Sequence, residues 1–163
     1  MYAYCLHCST VKCAMVAESI RRKLGCEAFS PRIVQRKWVK GKAVEEVHDY
    51  LPGYVFVYTR EPIASFEPIR SMEGVLRCLG ERREGYLRGG DDRRFAEMLY
   101  ANGGTIGILK AYEEGDRVKL TGDAFEGFEG EIIRLDRRKG RAQIRYTFDQ
   151  TEYKVWVGYE LMK

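Results

Sequence analysis

The sequence predicts an α+β domain, an antiparallel sheet with flanking helices, followed by a small closed all-β barrel. Three observations predict it. Residues up to about 104 mix strand patterns with apolar stripes at helical spacing, joined by hairpins rather than repeated crossover units. From Gly115 onward the pattern is short strands between glycine or charged turns, with no apolar helical stripe. Between them Asn102-Gly103-Gly104 breaks the chain. The expected division is therefore a first domain at 1–104, a linker at 105–111 and a second domain at 112–163.

The elements follow in order. Tyr2 to His7 reads as a strand, and Ser9 or Thr10 is placed to cap the helix after it. In that helix Cys13, Val16, Ala17, Ile20 and Leu24 form the apolar stripe, and Gly25 supplies the stop. Ala28 to Arg36 reads as one strand, Lys40-Gly41-Lys42 as a turn and Ala43 to His48 as the hairpin partner. Pro52 and Gly53 open a strand running to Tyr58, the clearest strand pattern of the first half. A short helix is expected around Phe66 to Met72 and a strand over Val75 to Leu79. Asp91 or Asp92 is placed to cap a helix holding Phe95, Met98 and Leu99. In the linker Ile106, Ile108 and Leu109 give apolar positions able to dock on either domain. The barrel strands are expected at 117–121, 131–135, 142–146 and 153–157, the middle pair joined by Arg137-Arg138-Lys139-Gly140.

Composition narrows the class. Hydrophobic content of 45% is enough for packed cores, which argues against a disordered or fibrous chain. No apolar run approaches the ~20 residues that span a membrane, and Met1-Tyr2-Ala3-Tyr4 lacks the pattern of a signal peptide. A cytoplasmic protein without membrane contact is expected. Its five cysteines, Cys5, Cys8, Cys13, Cys26 and Cys78, are expected as reduced, small buried residues. Cys5-x-x-Cys8 with His7 and Cys13 raises a zinc site, but no second ligand cluster exists to complete it. No metal or other cofactor is expected. The only histidines, His7 and His48, sit in no nucleophile or metal motif, and no phosphate-cradling glycine loop is present. The chain reads as a binding protein rather than an enzyme.

Charge is unevenly placed. Residues 1–111 hold 18 Lys+Arg against 13 Asp+Glu, giving +5, and residues 112–163 hold 10 against 11, giving −1. The excess hints at nucleic-acid contact in the first part, although an ordinary solvated surface has the same composition.

Two segments carry a family resemblance. Leu51-Pro52-Gly53-Tyr54-Val55-Phe56-Val57 resembles the Phe-Pro-Gly-Tyr-x-x-Val strand of NusG-type transcription elongation factors. Gly127-Phe128-Glu129-Gly130-Glu131-Ile132-Ile133, preceded by Gly115-Asp116-Arg117-Val118, resembles their C-terminal KOW domain, an SH3-like barrel. The order and spacing match over nearly the whole chain. Leu135-Asp136-Arg137-Arg138-Lys139-Gly140-Arg141-Ala142 also resembles a run in LoaP, a specialised antitermination paralogue, and the pattern from Cys26 to Phe56 is similar to RfaH, another. Ser9-Thr10-Val11-Lys12-Cys13 departs from the family, which usually has Gly and Glu in that loop.

The resemblance implies partners and residues. Tyr54 and Phe56, with Leu51 and Pro52 at the edge and His7 on the adjoining strand, match the surface that docks on the β′ clamp helices of RNA polymerase. By alternation, Tyr54 and Phe56 share one strand face and Val55 and Val57 the other. This pattern serves either of two arrangements: valines toward a core with the aromatics exposed to a partner, or both faces buried. The former predicts one exposed patch of Tyr54, Phe56 and His7. Ser65 and Phe66 match a segment that reaches the polymerase β subunit, unless Phe66 packs inside. Arg21, Arg22, Lys23, Arg32, Arg36, Lys37 and Arg70 are the candidate contacts to nucleic acid, a nascent RNA hairpin or non-template DNA, with Arg137, Arg138, Lys139 and Arg141 able to add a local contact. Phe125 and Phe128 are the candidate contacts of the barrel to Rho or a small-subunit ribosomal protein, unless one of them caps the barrel core. The resemblance implies a monomer that promotes processive antitermination at specific operons. A general elongation factor and a KOW RNA-binding or ribosome-associated module are the rival readings.

Overall fold

The computed structural model describes residues 1–79, 85–115, 117–121 and 131–162. The chain forms two compact units, Met1–Pro31 with Asp49–Glu97, and Arg32–His48 with Met98–Lys163.

The first unit is built on a four-stranded sheet. Its strands are β1 (Tyr2–Cys8), β2 (Glu27–Phe29), β5 (Tyr54–Thr59) and β6 (Val75–Cys78), in the order β2-β5-β1-β6. All three pairings are antiparallel, with His7 opposite Tyr54 and Phe29 opposite Phe56. A single 3-10 turn, Thr10–Lys12, leads into α1 (Cys13–Leu24). The stripe of α1 forms as its spacing predicts. Cys13, Val16, Ala17 and Ile20 are buried with Tyr4, Leu6, Val55, Val57 and Ile69 in one core. Leu24 falls outside it and is exposed, because the helix ends there. Gly25 adopts φ 66° and its N–H returns to the Arg21 carbonyl at 3.1 Å, as expected of a left-handed cap. The expected cap at Ser9 or Thr10 does not form, since neither end of the 3-10 turn has a side-chain cap. Instead the Cys13 thiol lies 3.5 Å from the Ser9 carbonyl. The short helix is α2 (Glu67–Arg70). The last helix, α3 (Gly90–Ala101), begins one residue before Asp91.

The strand expected over Ala28 to Arg36 is two strands. Pro31 has no N–H to give to a ladder, and the chain breaks at Ser30-Pro31 between β2 and β3 (Arg32–Val39). The Pro31 carbonyl instead accepts from the Tyr50 N–H at 2.9 Å.

The second unit contains the hairpin of β3 and β4 (Lys42–Asp49). Its turn places Lys40 at φ 50° and Gly41 at φ 76°, the paired left-handed conformation of a tight hairpin. β3 also pairs in parallel with β7 (Thr105–Ile106), giving the order β4-β3-β7. A five-stranded sheet has the order β10-β11-β12-β8-β9. Its strands are β8 (Leu109–Glu114), β9 (Arg117–Thr121), β10 (Glu131–Asp136), β11 (Arg141–Phe148) and β12 (Thr151–Leu161). The β12–β8 pairing is parallel. Ile106 and Leu109, the apolar positions of the expected linker, are buried. Ile108 sits so close to Gly158 that a Cβ there would meet its Cδ1 at 2.6 Å. No sheet is closed among the described residues, so the closed barrel expected from the sequence is not formed by these pairings.

The β11–β12 turn holds two non-glycine residues in the left-handed region, Asp149 at φ 48° and Gln150 at φ 62°. Each such residue costs about 1–2 kcal/mol per position. Gln150→Gly is therefore expected to raise stability by about 0.5–1 kcal/mol after the extra entropy of glycine is subtracted. The urea midpoint, at unchanged m-value, measures it.

Candidate functional site

β5 lies between two other strands, and both of its faces are covered. Val55 and Val57 face α1 in the core described above. On the other face Phe56 is 0% exposed, with its ring 5.4 Å from that of Phe95 on α3. The Tyr58 hydroxyl donates to the Ala96 carbonyl at 2.6 Å, and Tyr50 stacks on Phe95 at 5.6 Å. The expectation of an exposed Tyr54–Phe56 patch is thus corrected. Helix α3 supplies the aromatic and backbone partners that this face requires, so Phe56 is a core residue. Leu51 is buried as well, at φ 53°.

A narrower surface remains at the start of the strand. Pro52 is exposed and His7 half-buried, with the His7 ring 5.4 Å from that of Tyr54, which is 8% exposed. Gly53, at φ 96°, brings the chain close to β1. The Cys8 N–H donates to its carbonyl at 2.7 Å, and a Cβ on Gly53 would lie 3.6 Å from the Cys8 carbonyl oxygen. Ser65 is exposed, and its hydroxyl accepts from the Glu67 N–H at 3.3 Å, fixing the start of α2. Phe66 packs inward, edge-on to Tyr4 at 5.6 Å, and a Cβ on Gly85 would meet its ring at 2.4 Å. It belongs to the margin of the core rather than to an open docking site.

The basic candidates separate into groups. Arg22 and Lys23 are exposed on the last turn of α1, and Arg70 is exposed on α2 near Glu67 at 3.9 Å. Lys23, Met15, Leu24, Pro68, Met72 and Glu73 line an open cavity of about 340 Å³ between these helices. Arg21 donates instead to the Ala28 carbonyl and ties α1 to β2. Arg32, Arg36 and Lys37 stand on β3 in the other unit and have protein partners. Arg36 pairs with Glu160 and reaches the Tyr159 carbonyl at 3.3 Å. Lys37 lies 3.4 Å from Glu46, and Arg32 donates to the Val47 carbonyl at 3.4 Å. The seven residues therefore divide between the two units. Phe125 and Phe128 lie outside the described residues.

Residues 2–88 match a protein family described as transcription termination factor nusG. The chain belongs to the NusG family. A solved structure described as "Domain interaction in Thermotoga maritima NusG" covers 96% of this chain and 93% of its own, at 18% identity and a TM-score of 0.58, a likeness of fold. A human uncharacterized protein encoded by LINC00587 is 35% identical over 63 residues, which is 37% of this chain and 86% of that one. The NusG match contains the His7–Pro52–Tyr54 surface and both basic groups, and it stops before the five-stranded sheet.

The cysteines are packing groups of this NusG fold. Cys5, Cys8, Cys13 and Cys78 are buried and Cys26 half-buried. Burial, then the neighbouring Cys13 and Cys78, pushes the Cys8 thiol up to about 12. Burial raises Cys13 and Cys26 as well. Among the described residues no group of three or more His, Cys, Asp or Glu is arranged to hold a metal.

Two outcomes follow for this site. Phe56→Ala is expected to destabilise the chain by about 3–5 kcal/mol, the cost of emptying a buried aromatic site, read from the denaturant midpoint. Raised thiol pKa values set a pH limit. Their contribution is fully present below the ordinary thiol value of 9.0 and is lost as pH rises toward the folded value of about 12. Stability should fall between these limits, and Cys8→Ala should flatten that fall in a thermal-melt series.

Proposed function

We propose that this NusG-family transcription factor docks on RNA polymerase and promotes processive antitermination at specific operons, recruited by a nucleic-acid signal. Family membership over residues 2–88 carries this reading. The run Leu135 to Ala142, similar to that of LoaP, supports the specialised role over a general elongation factor. In this reading residues 1–104 are the polymerase-binding domain and residues 112–163 the KOW domain, with β8–β12 supplying its SH3-like strands. The chain acts as a monomer in the cytoplasm. It has no catalytic role and needs no cofactor. None of its helices is long and apolar enough to cross a membrane, among the described residues.

Docking on the β′ clamp helices falls to His7, Pro52 and the rim of Tyr54, because these reach solvent and Phe56 does not. Ser65 offers the contact toward the β subunit. The signal, a nascent RNA hairpin or exposed non-template DNA, is met by Arg22, Lys23 and Arg70. These cations stand exposed at or beside the α1–α2 cavity, Arg70 with Glu67 3.9 Å away. Phe125 and Phe128 are the candidate contacts to Rho or a small-subunit ribosomal protein.

Mapping polymerase-bound protein across the genome tests the role. Enrichment at one or a few operons is expected, and uniform occupancy would instead identify a general elongation factor. A pull-down with a clamp-helix fragment tests the surface. His7→Ala combined with Pro52→Glu should weaken capture about ten-fold, as loss of central interface residues does, with the melting temperature nearly unchanged. Capture at the original strength would reject this docking face.

A further inference from the structure

Asn102 is the only asparagine in the sequence, and Gly103 and Gly104 follow it. No aspartate is followed by glycine. An asparagine before glycine is open to attack by its own backbone, because the next residue has no Cβ to hinder the approach. In the folded chain both reacting groups are engaged. The Asn102 amide donates to the Met98 carbonyl at 2.8 Å, and the Gly103 N–H donates to the Tyr100 carbonyl at 3.1 Å. The Asn102 N–H also reaches Met98, at 3.1 Å, and the Gly104 N–H donates to the Leu99 carbonyl at 2.9 Å. With Gly103 at φ 64° and Gly104 at φ 89°, these bonds close the last turn of α3. The same residues lead into β7. The Thr105 N–H donates to the Asn102 carbonyl at 3.3 Å, and the Arg32 N–H to the Gly104 carbonyl at 3.0 Å. Asn102 is half-buried and Gly103 exposed.

We propose that Asn102 is a site of spontaneous deamidation and isomerisation, gated by opening of the last turn of α3. The Gly103 amide nitrogen gives up its proton and attacks Cγ of Asn102. A new C–N bond forms, the Cγ–Nδ2 bond breaks, and ammonia leaves with that proton. Water then opens the five-membered imide. Opening at Cγ gives aspartate. Opening at the backbone carbonyl gives isoaspartate, with an extra methylene in the main chain. The bond to Tyr100 occupies the N–H that must be lost, so the reaction waits for the helix end to fray. Either product replaces the donor to Met98 with a carboxylate, at the negative end of a helix. Helix α3 carries Phe95, which packs on Phe56, and Ala96, which accepts from Tyr58. Conversion therefore loosens the cover of β5 as well as the entry to β7. The chain carries one covalent clock, at the joint between α3 and β7, and the docking reading above is not required.

The test incubates the full chain at mildly alkaline pH, with and without urea. An isoaspartate-specific methyltransferase and peptide mass mapping read the product. Isoaspartate should accumulate at residue 102 in both arms, about ten-fold more slowly in the folded chain, the suppression given by a turn closed by ~1.4 kcal/mol. Asn102→Ser should abolish the signal, since the chain has no other asparagine and no aspartate before glycine. Asn102→Asp should speed hydrogen exchange at the Gly104 and Thr105 amides about five-fold, the effect of losing roughly one hydrogen bond. No isoaspartate in urea, equal rates in the folded and unfolded chain, a signal that persists in Asn102→Ser, or unchanged exchange in Asn102→Asp would each overturn the proposal. The urea arm decides the chemistry even if a variant fails to fold.

Discussion

The two-sided burial of β5 is the constraint on which the first unit depends. A strand with Val55 and Val57 on one face and Phe56 and Tyr58 on the other has to be covered twice. Helix α1 meets the valines, and Phe95 and Ala96 of α3 meet the aromatics. Once both sides are sealed, only the end of the strand can meet a partner. Gly53 then decides how that end is presented. Its left-handed backbone and the bond from the Cys8 N–H hold the Pro52 turn against β1. His7 and Tyr54 thereby become register neighbours with their rings in contact. A sealed strand and this turn leave Pro52 and the edges of His7 and Tyr54 as the part of the aromatic motif that reaches the surface.

The arginines show a second economy. Guanidinium groups have several donors in a planar fork, and in a folded chain the nearest acceptors are often backbone carbonyls. Arg21 meets Ala28, Arg32 meets Val47, and Arg36 meets Tyr159 and Glu160. Arg21 joins α1 to β2 and Arg36 joins β3 to β12, while Arg32 adds to the pairing of β3 with β4. Lysines, with a compact and strongly hydrated charge, are left facing water more often, as Lys23 and Lys154 are. A count of basic residues therefore overstates the positive surface on the β3 side.

Much of the fold was legible because it is written in local patterns. The helical spacing of Cys13, Val16, Ala17 and Ile20, the glycine stop at Gly25 and the Lys40-Gly41 turn each depend on neighbours within a few residues. The order of strands in the second half was legible for the same reason. The pairing was not, since β8 runs parallel to β12 and finds its partner some fifty residues on. The break at Pro31 was readable in principle from the missing N–H, yet apolar residues on either side disguised it. At the candidate site the sequence named His7, Pro52, Tyr54 and Gly53 as neighbours. It left open whether Phe56 faced out or in, because burial of a face is decided by an element forty residues away. The same holds for Phe66, which is settled by Tyr4 and Gly85.

The long-range bonds of β3 have a consequence for the timing of synthesis. Gln35 waits for Trp156, and Arg36 for Glu160, across 121 and 124 residues. At about 5–20 residues per second that interval is roughly 6–25 s on the ribosome. During it the β3–β4 hairpin emerges with an amide and a guanidinium whose final acceptors do not yet exist, and with Trp38, Val39, Val44 and Val47 on show. The first unit has its sheet and both covering helices by residue 101 and can assemble meanwhile. Lys42, Glu45, Glu46 and His48 interrupt the apolar positions of the waiting hairpin, as charged and polar residues do on strands open to premature pairing.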